Sequence, residues 1–383
     1  MAGPKDLHPD KDYERLHPGA QLYVSIWGDP VVDVGIGMAA EGTSMTREHL
    51  LPWGGATRLL LAVVVGQLLE EGALELDEPL GGKVAPLSGT ALAGVTPRHL
   101  LTHTAGLPGL PDEALAGGAG VEPLVAEAPE YEPGRRARYL RSGPGRLLAE
   151  LVTAVDGRGL EWLLRDRVWD PLGMEATYLG VGPEDRERLA AWISPLHWTG
   201  WTRPERRPNG TVREHGHRLD RVLNDPQVQA VGDPDLGALG PAHDLGILLE
   251  GLLLPARRLF RHPATATLLQ SPQRVGLRDL GFGGARIPWG FGCQVGAGFA
   301  GTVGHRAFGH DGLPGGRALC DPAEGLVLVY LTNGLPAPRD DARRCVEVTD
   351  AVYEAVAPRP AGAIVTTGVG DMVLSPPPCP MPV

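Results

Sequence analysis

Residues 50–80 read "LLPWGGATRLLLAVVVGQLLEEGALELDEPL", and this stretch decides the architecture. From Thr57 to Glu71 the apolar residues form a nearly continuous stripe, which predicts a helix buried on most sides. Gly72 closes it, and the polar "LELDEPL" leads away. A helix that is apolar nearly all round needs cover from several elements, so a layered body is expected around it.

The flanking segments supply that body. "AQLYVSIWGDPVVDVGIG" (20–37) is two β-rich runs broken at Gly28–Pro30 and reads as a hairpin. "VTPRHLLTHTAGLPGL" offers Thr96 as an N-cap with Pro97 at the first helical position. "GPGRLLAELVTAVDG" and "GLEWLLRDRVWDPLGM" are helical, each stopped by Gly or Pro, and "GPAHDLGILLEGLL" is helical again. Strand-like "WGFGCQVG", "GHRAFGHDG", "GGRALCDP" and "LVLVYLTNG" follow, then a helix from about Asp340 to Val356. The order predicts an α/β fold in which an antiparallel sheet is built from both chain ends and flanked by helices, with a mostly helical insertion between them. The expected boundaries are an extension over 1–16, an α/β sandwich over 17–85 and 235–357, an insertion over 86–234 and a Pro-rich, poorly ordered tail over 358–383. Between about Trp192 and Gly237 the chain is polar and Pro-rich, which reads as a long loop. Its Trp192, Trp198 and Trp201 form either a lid over an apolar ligand or a local mini-core, and the lid is favoured.

Composition narrows the functions. The chain has 383 residues, 43% of them hydrophobic, and a formal net charge of −11. An acidic chain with scattered arginines does not suit a nucleic-acid backbone or an anionic membrane surface. The first 21 residues contain no apolar core of a signal peptide, and Leu59–Leu69 falls well short of the ~20 residues that span a bilayer. A cytoplasmic protein is expected. Cys293, Cys320, Cys345 and Cys379 form no CxxC, so buried free thiols are expected rather than metal or redox chemistry. "EHGH" (Glu214 to His217) lacks a third ligand, so neither a metal nor another cofactor is expected.

Six blocks in register carry a resemblance. They are the segment from His17 to Leu80, "TPRHLLTHTAGLP", "PGRRARYLRSGPGRLLAELVTAVDG", "VWDPLGM", "FGHDGLPGG" and "LVLVYLTNG". Over roughly residues 17–356 the chain resembles the class C β-lactamase family, which includes family VIII esterases and DD-peptidases. The resemblance implies a Ser-x-x-Lys turn at the start of the buried helix, a Tyr-x-Asn segment and a Lys-Thr-Gly or His-x-Gly strand with a main-chain oxyanion hole. The first element falls on Gly55-Ala56-Thr57-Arg58 and departs at both working positions. The second falls on Tyr139-Leu140-Arg141 and keeps only the tyrosine. The third falls on His310-Asp311-Gly312 and matches the esterase form. The lysines are Lys5, Lys11 and Lys83, and none has a serine three residues before it.

An acyl-serine mechanism is therefore not expected. Arg58 cannot replace a lysine base, because guanidinium stays protonated, yet it can stabilise a tyrosinate or hold a carboxylate. Gly55 keeps its backbone N–H and, with Leu313, would complete the oxyanion hole. Tyr139, His310 and Arg58 are the candidate catalytic residues. Gly55, Arg141, Gly312, Leu313, Trp198 and Trp201 are the candidate substrate contacts. For Arg58 and Arg141 a structural ion pair stands as the alternative, and His103 reads as scaffold. Three functions stay open: a repurposed enzyme of small-molecule metabolism moving protons without a covalent intermediate, a hydrolase using water, and a non-catalytic binder. The first is favoured, because a binder has no need of a Tyr and a His facing each other across a donor pair.

Overall fold

The computed structural model describes residues 17–110, 120–199, 205–206, 212–213, 219–255, 259–311, 315–336, 338–356, 364–366 and 371–373. Its main sheet comprises β1 (Gly19–Ile26), β2 (Asp29–Ala40), β3 (Thr43–Ser44), β4 (Gln294–Val295), β5 (Phe308–Asp311), β6 (Gly316–Asp321) and β7 (Leu326–Thr332). The spatial order is β4-β5-β6-β7-β1-β2-β3, with every pairing antiparallel. The two chain ends meet where β1 pairs with β7, from Ala20↔Thr332 to Ile26↔Leu326. β1 and β2 join through Trp27 and Gly28, whose φ angles of 52° and 85° suit a two-residue hairpin turn.

β7 explains the layering. Every residue of "LVLVYLT" is buried, as expected for a strand covered on both faces. Val327, Val329 and Leu331 point into the main core, shared with α1 (Arg58–Glu70) and with α4 (Ala242–Leu253). Leu326 and Leu328 point to the opposite face, against Val352, Tyr353 and Val356 of the C-terminal helix α5 (Pro338–Val356). α1 runs through the main core with Leu59–Val65 all buried, also packing on α3 (Pro144–Asp156). α4 presses onto the sheet at Gly246, where a Cβ would enter the Tyr23 ring. Buried Glu250 on α4 accepts from Tyr23 Oη (2.6 Å) and Ser25 Oγ (2.7 Å), which ties helix to strand.

The caps follow their sequence signals. Thr96 Oγ1 accepts from the His99 N–H, and Pro97 opens α2 (Pro97–Leu101). One expectation needs correction. The stretch from 192 to 237 is not one long loop, since it forms the short helices Leu219–Asn224 and Pro226–Val231. Asp225 caps the second of these and Pro226 starts it, a pattern easily read as turn composition. Within the tail, Ile364–Thr366 pairs antiparallel with Asp371–Val373. Among the described residues no helix is long and apolar enough to cross a membrane. Cys293, Cys320 and Cys345 are buried and free, while Cys379 lies outside the described residues.

Candidate active site

The chain enters α1 through a single tight turn, Gly54–Thr57. Thr57 Oγ1 accepts from the Ala238 N–H at 3.2 Å, which commits that hydroxyl to the scaffold. Gly55 lies directly against two side chains from distant elements. A Cβ built on it would stand 2.8 Å from Tyr139 Oη and 3.0 Å from His310 Nδ1, and closer still to His310 Cε1. The structure thus brings Gly55, Tyr139 and His310 to one point.

His310 arrives on β5. Strand alternation places it on the same face as core residue Phe308, aimed at the start of α1. It is 1% exposed, and Nδ1 hydrogen-bonds the Asp311 carbonyl, so the proton is assigned to Nδ1. Nε2 then carries the lone pair, buried and with no hydrogen-bond partner among the described residues. Burial first, and the Arg58 cation second, push the His310 pKa down to about 3. The lowered pKa favours the neutral imidazole, whose Nε2 can accept a hydrogen bond.

Arg58 is reassigned. It is 2% exposed, and Nε donates to Asp235 Oδ1 at 2.6 Å. Its Nη2 donates to the carbonyls of Leu140 (2.6 Å) and Arg141 (2.5 Å). Burial disfavours the charge, but Asp235 and Tyr139 outweigh it and raise the pKa above the ordinary guanidinium value. The same Asp235 carboxylate accepts from Gly143 N and Gly145 N, each at 2.7 Å, at the entry to α3. Of the two roles open in sequence, Arg58 fills the structural one. It fixes the backbone that carries Tyr139, and its Cζ stands 5.1 Å from the Tyr139 ring centroid.

Tyr139 is half-buried in an aromatic and imidazole cluster. Ring centroids lie 4.8 Å away at His103, 5.0 Å at Phe282, 5.7 Å at Trp289 and 5.9 Å at His310. Its N–H donates to Asp279 Oδ1 at 2.8 Å. Fully buried Asp279 pairs at 2.9 Å with Arg274, whose Cζ lies 5.3 Å from the Trp289 ring centroid. Two buried ion pairs, Arg58–Asp235 and Arg274–Asp279, therefore clamp the tyrosine segment from two sides. Asp235, Asp279, Arg274 and Trp289 were missed in sequence. A buried arginine in an apolar helix signals a required carboxylate partner, but nothing in the sequence singles out Asp235 among 46 acidic residues.

The other candidates divide. Arg141 offers its carbonyl to Arg58 while its side chain is exposed. Trp198 packs in a satellite core with Leu196, Leu223 and Leu335, held by pairing of His197–Trp198 with Gly334–Leu335. Trp192 is exposed, and its ring is tilted against His49 with centroids 5.6 Å apart. For Trp198 the mini-core reading replaces the lid, because its apolar partners belong to that cluster. Gly312, Leu313, Trp201 and the "EHGH" segment lie outside the described residues, among which no group of acidic, His or Cys side chains could hold a metal.

Comparison with known proteins agrees with this architecture. Penicillin-binding protein 4 of Amycolatopsis lactamdurans is 28% identical over 338 residues, covering 83% of this chain and 81% of the relative. The "Esterase/beta-lactamase LipL" of Mycobacterium tuberculosis is 29% identical over 194 residues, 47% of this chain and 44% of the relative. An Escherichia coli beta-lactamase is 28% identical over 46% of this chain and 47% of its own, so these last two are matched over only about half their length. Among solved structures, a penicillin-binding protein homologue from Caulobacter crescentus superposes with a TM-score of 0.67 at 24% identity, covering 88% of this chain and 92% of that one. A family VIII carboxylesterase superposes with a TM-score of 0.68 at 21% identity, covering 86% and 93%. Residues 10–352 match the Beta-lactamase family, and the chain belongs to it.

Proposed function

We propose that this chain is a beta-lactamase-family protein that forms no acyl-enzyme and works by binding a ligand rather than by turnover. One observation carries the reading. The space a side chain at residue 55 would need is held by the His310 ring and the Tyr139 hydroxyl. A nucleophile is therefore missing in chemistry and also has no room. The partner position is filled by an arginine built into a buried ion pair, which cannot take up a proton. A hydrolase using water would need that same space for its nucleophile.

A second reading is favoured by Tyr139 itself, which is only half-buried and presents its hydroxyl beside Gly55. Here Tyr139 would move a proton on a carbonyl compound without a covalent intermediate, in an isomerisation, cyclisation, elimination or condensation of small-molecule metabolism. His310 would then accept a hydrogen bond, and the backbone N–H of Gly55 would polarise the carbonyl.

One experiment separates the readings. The full chain is incubated with a fluorophosphonate, benzylpenicillin, p-nitrophenyl butyrate and a panel of β-keto esters. Intact mass and product formation are then followed. Binding without chemistry leaves the mass unchanged and every compound at its buffer rate. Consumption of any keto ester that falls by roughly 10²-fold in Tyr139→Phe replaces it with the second reading. Stoichiometric acylation within residues 50–60 overturns both.

A further inference from the structure

We propose that the exposed surface beside Tyr139 docks an acidic peptide segment of a partner protein, its carboxylates on a row of arginines and its apolar side chains on the neighbouring turn. Three short stretches make this surface. Ala137 bridges Asp279 in parallel, and Asp279 bridges Ala285 antiparallel. Leu280 N donates to the Ala137 carbonyl at 2.9 Å, and Asp279 N donates to the Ala285 carbonyl at 2.8 Å. That register sets Arg136 beside Arg278 and Arg278 opposite Arg286. Ala137 and Asp279 are buried while the three arginines are exposed, so the arginine side chains rise from one outer face.

Like charges on facing strand positions repel, and this row has little to offset them. Among the described residues Arg278 reaches the Gly284 carbonyl alone, at 3.5 Å, and Arg136 and Arg286 make no ion pair or hydrogen bond. The neighbouring charges are already matched. Arg135 pairs with Glu132 at 3.1 Å, Arg138 pairs with Glu130, and Arg274 pairs with the buried Asp279. Residues 130–141 and 274–287 together hold seven arginines against three carboxylates, in a chain whose net charge is −11. A cationic face on an acidic protein selects an anionic partner.

The adjoining turn narrows the partner further. The chain reverses over 280–284, where Leu280 is 51% exposed and Phe282 is 37% exposed. The Phe282 ring packs on Tyr139 with centroids 5.0 Å apart, and the Tyr139 backbone leaves no room for a Cβ at Gly281, which holds the turn in place. Strand spacing of about 4.8 Å makes the arginine row roughly 10 Å wide, more than one carboxylate can cover. An open surface of this kind binds by extent, with several carboxylates on the arginines and apolar side chains on Leu280 and Phe282. An acidic segment of a partner protein supplies both, whereas a small anion supplies the charge alone.

The assignment deepens and rests on the binding reading proposed above, because the surface borders Tyr139, and its test has a separate readout. The fluorescein-labelled peptide EDEDGLF is titrated with the full chain and followed by anisotropy. Saturable binding is expected, with hydrogen-exchange protection at 136–138 and 278–286. The neutral QNQNGLF and the acidic EDEDGSS should each bind about tenfold or more weakly, because each loses half of the contacts. Arg136→Ala combined with Arg286→Ala should weaken EDEDGLF by about tenfold, the scale of two exposed charge pairs. Arg135→Ala, whose charge already meets Glu132, should leave the affinity within about twofold. Equal affinity of the native chain and the double variant, or of EDEDGLF and QNQNGLF, overturns the arginine row. Binding of EDEDGSS or an oligothymidylate as tight as that of EDEDGLF overturns the peptide class and leaves a surface for any polyanion. Binding that appears only after Asp112→Asn with Glu113→Gln places the chain's own acidic pair on the row and overturns the external partner. An absence of saturable binding overturns the proposal outright. Keto-ester turnover that depends on Tyr139 would instead displace the binding reading while the peptide result stood, so the two failures are told apart.

Discussion

Adding one methyl group at residue 55 tests the site most directly. In Gly55→Ala the new Cβ falls on the edge of the His310 imidazole and 2.8 Å from Tyr139 Oη, inside van der Waals contact for both. His310 must rotate away, which breaks its Nδ1 bond to the Asp311 carbonyl and disturbs its edge-on contact with Trp289, 5.7 Å between centroids. Overpacking of a closed core costs about 1–3 kcal/mol, and a lost hydrogen bond adds roughly 1 kcal/mol. A destabilisation of about 2–4 kcal/mol is therefore expected. The decisive measurement is a double-mutant cycle by calorimetric or denaturant unfolding. His310→Ala removes the ring and leaves a space the methyl can enter, so Gly55→Ala should cost under about 1 kcal/mol in that background. The coupling energy should thus be roughly 1–3 kcal/mol, with the double mutant more stable than the sum of the singles. If Gly55→Ala costs the same in both backgrounds, His310 does not occupy this space. The reasoning about the missing nucleophile then loses its physical basis.

Two further outcomes follow from the buried charges. Asp235→Ala strands the Arg58 cation and frees two backbone donors, so it should destabilise by about 3–5 kcal/mol, whereas Arg58→Met with Asp235→Leu should recover much of that in unfolding experiments. Equal losses in the single and double variants would refute the clamp. Acid stability gives the other test, since burial lowers the pKa of His310 to about 3 and of His17 to about 4, and holds His103 well below its ordinary value. Below pH 6.5 the unfolded chain binds protons that the folded one refuses, so this stability is complete above pH 6.5 and falls as pH drops toward 4. Each histidine should contribute a slope of up to about 1.4 kcal/mol per pH unit, and His310→Gln should remove one share. Unfolding free energy that stays flat across this window would show that the rings are hydrated.

The scaffold was legible where a single local pattern sufficed. α1 declared itself because no polar residue interrupts Leu59–Val65, and β7 because "LVLVYLT" is too apolar to be anything but covered on both faces. Tyr139 and His310 were found because each sits in a short motif at fixed register. Their roles were not legible, because a protonation state depends on burial and on neighbours from other elements. His310 reads as a proton carrier in "FGHDG", but the motif does not report that burial and the Arg58 cation lower its pKa. The Arg58–Asp235 pair joins residues 177 positions apart, and no periodicity reports a contact of that kind. The helix Pro226–Val231 was missed because Asp225-Pro226 at its start carries as much turn signal as helix signal.

The departures at residues 55 and 58 are better understood as one packing solution than as two losses. A long guanidinium at 58 needs a buried carboxylate, and Asp235 supplies it while also holding Gly143 and Gly145. That arrangement draws the Leu140 and Arg141 carbonyls onto Arg58 and seats the Tyr139 ring near its cation. The seated tyrosine and the His310 imidazole then converge over residue 55, where only a residue without a side chain fits unstrained. Random decay of an abandoned centre would leave voids or stranded charges, and either would lower stability by several kcal/mol. Here the guanidinium has its carboxylate and the ring has its space, with Arg58 Nη1 and His310 Nε2 left buried and without partners among the described residues. Restoring serine and lysine alone should accordingly fail to restore acylation, because the serine must evict His310 and the lysine is too short to keep both Asp235 and the two carbonyls of the tyrosine segment.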